Sequence, residues 1–260
     1  MKSSSLILLS VLCVLLGCSG VTNVSNPPAT YLSVTGDWGL TATSTVVANS
    51  TFPVGVDLTS NQGSVSGIAH LSSSCYPIAT NVPLTGTIDT SGNIALTSSS
   101  VNGQVLTVTG KTSTGADFTS GTYAVAGGCA AGDKGTVAGS EVPAVTGTYT
   151  GTVKSVSGPS VGVTALLTQT VTPDANGFLH LSGTAAFTGS PCFTQTTIAT
   201  PATDTNILGL YLAANFTSSN PSAVIETVGS ISADGKTLTI SYQVVGGACA
   251  GDTGSGSLVL

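Results

Sequence analysis

The sequence predicts an all-β protein made of two tandem eight-stranded antiparallel domains, folded as up-and-down barrels or, alternatively, as β-sandwiches. Three observations carry this expectation. The first is composition. The chain holds 41 Thr, 35 Ser and 33 Gly beside 41% hydrophobic residues, and β-branched and small residues at this density favour pleated sheet and tight turns over helix. The second is alternation. Leu238, Ile240, Tyr242 and Val244 are interleaved with Thr237, Thr239, Ser241 and Gln243, so one face is apolar and the other is wetted by hydroxyls, as an antiparallel sheet allows. The third is an internal duplication.

The duplication is read from landmarks in conserved order. Val34-Thr35-Gly36-Asp37-Trp38 recurs as Val145-Thr146-Gly147-Thr148-Tyr149. Gly67-Ile68-Ala69-His70-Leu71 is matched to Gly177-Phe178-Leu179-His180-Leu181, and Cys75-Tyr76 to Cys192-Phe193. Tyr123, Cys129 and Gly132-Asp133-Lys134-Gly135 recur as Tyr242, Cys249 and Gly251-Asp252-Thr253-Gly254. These landmarks place a first β-domain at 31–141 and a second at 142–260; ahead of them a signal peptide, given the bounds 1–17 by the motif at its end, precedes a tether at 18–30 with Asn26-Pro27-Pro28. Glu141-Val142-Pro143-Ala144 is a junction too short to be a floppy linker.

Alternation and turn residues place the strands in order. In the first copy they fall at 34–46, 52–60, 64–72, 82–89, 93–100, 103–112, 117–126 and 134–140. In the second they fall at 145–156, 161–172, 177–187, 195–203, 206–217, 222–232, 236–246 and 254–260. Asn102-Gly103, Asn176-Gly177 and Asp234-Gly235 read as type I′ hairpin turns, whose two central residues must both accept positive φ. Eight short strands in each copy fit a barrel or a sandwich.

The cysteines constrain this plan. Cys75 follows the third strand of the first copy and Cys129 the seventh; Cys192 and Cys249 hold the same places in the second. In a meander, the loops after strands three and seven leave at the same end. Of the three pairings that four cysteines allow, the duplication selects Cys75–Cys129 and Cys192–Cys249, each drawing two loops over one mouth. An exported protein meets the oxidising conditions that such bonds need.

Charge excludes whole classes of function. Charged residues make up 6% of the chain, with five Lys, no Arg and a net charge of −6, so a phosphate-tracking nucleic-acid binder is not expected. His70 and His180 are the two histidines; zinc needs three or four ligands and no Cys or second His stands at ligand spacing, so no metal is expected. Asp133 and Asp252 read as turn residues, since calcium needs six or more oxygens and each has one local carboxylate. There is no Gly-x-Ser-x-Gly elbow, and the two Glu, Glu141 and Glu226, are a poor basis for glycoside hydrolysis. Trp38, Tyr123, Tyr149 and Tyr242 recur at matching positions and are the candidates for lining a ligand pocket, with core packing as the plainer role.

The N-terminus carries a resemblance. Lys2 precedes an apolar run from Leu6 to Leu16, too short for a comfortable membrane span, that ends in Leu15-Leu16-Gly17-Cys18. This segment resembles the lipobox of bacterial lipoproteins. The resemblance implies cleavage before Cys18, diacylation (palmitate-type) of its sulfur and a bilayer as partner; Ser19, which stands in place of Asp, implies sorting to the outer membrane of a Gram-negative envelope. Gly36-Asp37-Trp38 resembles the Gly-x-Trp opening of lipocalin- and avidin-type (calycin) barrels, but the second copy reads Gly147-Thr148-Tyr149 and the chain has no Arg to pack on Trp38. The Ser/Thr/Gly-rich tandem units with one cysteine pair each are also similar to uncharacterised bacterial lipoproteins. The expectation is a non-enzymatic, lipid-anchored envelope protein without cofactor, with a structural or surface-binding role. The alternative is a carrier of a small apolar ligand in a calycin-like barrel, and a hydrolase using His70 or His180 stands behind both.

Overall fold

The computed structural model describes residues 29–77, 80–113, 116–198, 205–219 and 222–260. The signal segment, Cys18 and most of the expected tether lie outside the described residues. All regular structure among the described residues is β-strand. The first barrel contains β1 (Gly36–Ser44), β2 (Thr51–Asn61), β3 (Ser64–Leu71), β4 (Val82–Ile88), β5 (Asn93–Ser98), β6 (Val105–Thr112), β7 (Asp117–Ala126) and β8 (Lys134–Glu141). Each pairs antiparallel with its sequence neighbour, and β8 returns to β1 to close the barrel. The second contains β9 (Gly147–Ser155), β10 (Ser160–Gln169), β11 (Leu181–Thr188), β12 (Gln195–Ile198), β13 (Thr205–Leu208), β14 (Tyr211–Ser219), β15 (Ser222–Ile231), β16 (Thr237–Val245) and β17 (Thr253–Val259). It closes through β9–β17 on one side and β12–β14 on the other. Of the two expected architectures, the barrel is therefore the one adopted.

The alternation read from the sequence is the inside–outside code of these barrels. β5 alternates strictly between exposed and buried residues, placing Ile94, Leu96 and Ser98 inward. Where alternation breaks, a bulge explains it. Phe118 and Gly121 are three apart and both buried, because the β7–β8 register shifts between them and Ser120 adopts a positive φ of 55°.

Two expectations about local structure need correction. The strand expected at 206–217 of the second copy is not one run but two, β13 and the start of β14, which pair with each other. β12 pairs with β11 and then with Phe216 and Thr217 of β14, while β13 pairs with Tyr211–Ala214 of the same strand and bridges Leu179 through Ile207. Thus β12 and β13 both flank β14, and the long strand expected from 206 begins instead at Tyr211. The turns also differ. Asn102 and Gly103 both take positive φ, 52° and 76°, as type I′ requires. At Asn176-Gly177 and Asp234-Gly235 only the glycine does; there Gly177 N donates to Asp174 O and Gly235 N to Ser232 O, which makes glycine the left-handed residue after a type I turn. A further pair with both φ positive, Gln62-Gly63, joins β2 to β3.

The barrels meet along an outward-facing row on the first. Gly39, Gly55 and His70 are register partners across β1, β2 and β3. A Cβ at Gly39 would stand 2.7 Å from Leu210 Cγ, and one at Gly55 would stand 2.7 Å from Leu208 O. Two bare glycines thus make the flat on which the β13–β14 turn lies. The Asp174–Phe178 turn of the second barrel covers the end of the row: Phe178 packs 4.4 Å from the His70 ring, and Asn81 donates to Asn176 across the seam.

Candidate functional site

Inward-facing residues define an apolar lumen in each barrel, and the two differ in size. The first encloses a cavity of about 210 Å³ and the second about 620 Å³. Strand register gives the residue-by-residue reason. Phe52 of the first barrel corresponds to Val161 of the second, since each faces the β1 or β9 residue four after Trp38 or Tyr149. By the same registers Val56 corresponds to Ala165, and Val137 to Gly256. Each replacement removes side-chain volume from the inner wall, against the single gain of Val153 for Ala42 on the first strand. Leu71 and Ser98 give way to the larger Phe187 and Phe216; Phe187, next to last in β11, lies 6.0 Å from Phe193 at the mouth.

The mouth is built the same way twice. Cys75–Cys129 and Cys192–Cys249 are joined, with Cα atoms 5.6 and 6.1 Å apart, within the span a cystine bridges. Both cystines line their cavities. Beside each stands a carboxylate held by hydroxyls. In the first barrel Ser44 Oγ donates to Asp133 Oδ1 at 2.5 Å and Tyr123 Oη to Oδ2 at 3.1 Å. In the second Ser155 Oγ donates to Asp252 Oδ1 at 2.5 Å, Ser157 Oγ to the same oxygen at 3.3 Å, and Tyr242 Oη to Oδ2 at 3.1 Å. Burial pushes both phenols above their ordinary value, and the adjacent carboxylates push the same way, so both stay neutral donors.

One part of the mouth is not repeated. Gln104, fully buried, donates from Nε2 to Cys75 O at 3.1 Å and accepts from Ala130 N at 2.9 Å, tying together the two loops that the cystine joins. Its counterpart by register is Ala223, which makes no such tie. The second mouth therefore has one strap fewer over a larger cavity.

The sequence-predicted site residues are distributed as follows. Trp38 and Tyr123 line the first lumen and Tyr242 the second. Tyr149 does not line the second: it is fully buried, and its hydroxyl donates to Gly235 O at 2.8 Å. Trp38 donates from Nε1 to Val34 O at 3.0 Å. Asp133 and Asp252 are turn residues, as expected, but they also form the polar rim of each lumen. Sequence reading missed Ser44 and Ser155; their signal was that each ends the first strand of its repeat. Glu141 and Glu226 are exposed on different barrels and form no acid pair.

The two histidines are not equivalent. Gly67 and Gly183 face Leu58 and Leu167 respectively, so His70 corresponds to Ala186, and His180 lies before β11. The tight Gln62-Gly63 turn of the first copy is replaced by the longer 170–180 segment of the second, which shifted the match between the Gly-x-x-His segments. His70 Nε2 lies 2.8 Å from Asn176 O at the seam between the barrels. His180 Nδ1 meets Thr205 O, and its Nε2 lies 3.5 Å from Asp174 Oδ2. Neither lines a lumen. No group of three or more His, Cys, Asp or Glu among the described residues is placed to hold a metal ion.

The seam also buries acid. Asp37 and Asp57 are register partners on β1 and β2, both buried. Asp37 Oδ1 accepts from Gly209 N at 2.5 Å, while Oδ2 has no partner. Burial raises Asp37 from the ordinary 3.8 to about 7, with Asp57 and Glu141 pushing the same way against the bond from Gly209; burial raises Asp57 to about 6.

The chain matches no protein-family profile and no curated protein. Among solved structures it is similar to a protein of unknown function of the DUF3598 family from Nostoc punctiforme, at 8% identity over 86% of this chain and 94% of that one. The TM-score of 0.26 is too low to carry an argument.

Proposed function

We propose that the chain is a non-enzymatic lipoprotein of a bacterial envelope, held to the bilayer by acylated Cys18, that binds a small apolar ligand in the lumen of its second barrel. The observation that carries this reading is the cavity of about 620 Å³, lined by Val163, Ala165, Phe216, Ile225 and Ile240 among others. Sites for small molecules are concave, mostly apolar and about 300–1,000 Å³ in volume, with a few fixed polar groups. The cavity in the first barrel falls below that range, which suits it to a supporting role. Between the scaffold and carrier readings, this cavity favours the carrier. The positions of His70 and His180 away from both lumina support a role without catalysis.

Native mass spectrometry of the protein isolated from membranes of its host tests both parts. The expected spectrum shows a chain beginning at diacylated Cys18, together with a population carrying a bound small molecule. An unacylated chain removes the anchor. A chain that repeatedly carries no small molecule removes the carrier role.

A further inference from the structure

The rim of the second lumen points to the class of ligand; the inference rests on the carrier reading. We infer that the second barrel selects an amphiphile with a cationic, ammonium-type head, seating its tail in the lumen and its head on Asp252. Three observations carry this. First, Asp252 is placed as a head-group contact: it is the one charged residue lining a mainly apolar cavity, and it stands at the mouth beside the Cys192–Cys249 cystine. Second, its oxygens are held by neutral donors, the hydroxyls of Ser155, Ser157 and Tyr242. A carboxylate offers about four lone-pair sites, so these three bonds fix the group and leave room for one more donor. They do not neutralise its charge. Among the described residues the one ion pair is His180–Asp174, away from this mouth. Third, the whole chain has five Lys, no Arg and a net charge of −6, so its overall field favours a cationic over an anionic ligand.

The chemistry follows from burial. A head group that leaves water as the tail enters the lumen must recover its lost hydration. An ammonium donates to the free lone pair of Asp252 and is matched by charge, a bond about twice as strong as a neutral one. A neutral alcohol makes only the weaker bond. A fatty-acid carboxylate faces a like charge and has no donor to offer.

Calorimetry on the mature chain from residue 18 carrying Cys18→Ser, which lacks both the acyl groups and the apolar Leu6–Leu16 run, separates these cases with three probes of one tail length: n-octylamine, 1-octanol and octanoate. At pH 7 and low salt the amine is expected to bind about tenfold or more tighter than the alcohol, with octanoate weakest. Added salt is expected to weaken the amine and leave the alcohol unchanged. Asp252→Asn is expected to bring amine and alcohol within about threefold of each other. Should that variant fail to fold, the probe ranking and its salt dependence in the parent chain decide alone. Alcohol or octanoate binding as tightly as the amine overturns the head-group assignment and leaves the carrier reading standing. No binding by any probe removes both.

Discussion

Reduction of the two cystines is expected to lower the melting temperature of each barrel by roughly 15–20 °C. Each bond joins cysteines 54 or 57 residues apart, and closing loops of that length removes denatured-chain entropy worth on the order of 4 kcal/mol. A barrel of about 110 residues buries less of its surface than a larger domain, so this is a large share of its stability. The two barrels are expected to separate on reduction. The first keeps the Gln104 strap between the loops bearing Cys75 and Cys129, whereas Ala223 leaves the second without one, so the second melts first. Calorimetric scans with and without dithiothreitol, with mass mapping of free thiols, read this directly. A melting temperature unchanged by full reduction contradicts it.

Asp37→Asn is expected to stabilise the protein by on the order of 2 kcal/mol at pH 8 and to have little effect at pH 4. The sign follows from the direction of the shift. Asp37 is raised to about 7 when folded, from 3.8, so the folded protein holds its proton more tightly than the unfolded chain. Its contribution is fully present below 3.8 and is lost as pH rises towards 7. Asp57, raised to about 6, acts the same way in the lower part of that window. Asp89, Asp174 and Asp234 are held below the ordinary value by hydrogen bonds, and their contribution is lost only as pH falls below 3.8, so the two effects occupy different ranges. Asn keeps the oxygen that accepts from Gly209 N and removes the charge from the buried seam. Urea midpoints across pH 4–8 for the parent and the variant are the measurement. An unchanged pH slope in the variant, or its destabilisation at pH 8, would show that Asp37 is ionised and satisfied at the seam.

Much of the fold is legible in the sequence because period-two patterning and cysteine placement are local signals. Leu238 to Val244 alternate on β16, and Cys75 and Cys129 sit just past the third and seventh strands, where a meander brings loops together. What escapes is what depends on partners distant in the chain. Asp37 stands on an outward face of β1, and the Gly209 amide that meets its carboxylate arrives from the second barrel. Gly39 and Gly55 likewise have no signal of their own, since their lack of a Cβ matters only once Leu210 and Leu208 lie against them. The mismatch of His70 with His180 has a different cause: a short shared motif outweighed strand register where a tight turn in one copy is a long loop in the other. The lumen volumes were in principle readable, because Phe52, Val56 and Val137 against Val161, Ala165 and Gly256 are differences between repeats. They acquire meaning only when pairing shows which residues share a level of the barrel.

Ala165→Phe tests the central claim most directly. Ala165 is buried on β10 and lines the second lumen, opposite Ala185, so a phenyl ring there fills the space assigned to the ligand. A naphthalene-type fluorescent probe is expected to bind the parent chain at one site, and to bind the variant at least about tenfold more weakly, while the melting temperature holds or rises as the cavity fills. Equal probe binding by the parent chain and a folded Ala165→Phe variant would contradict the account.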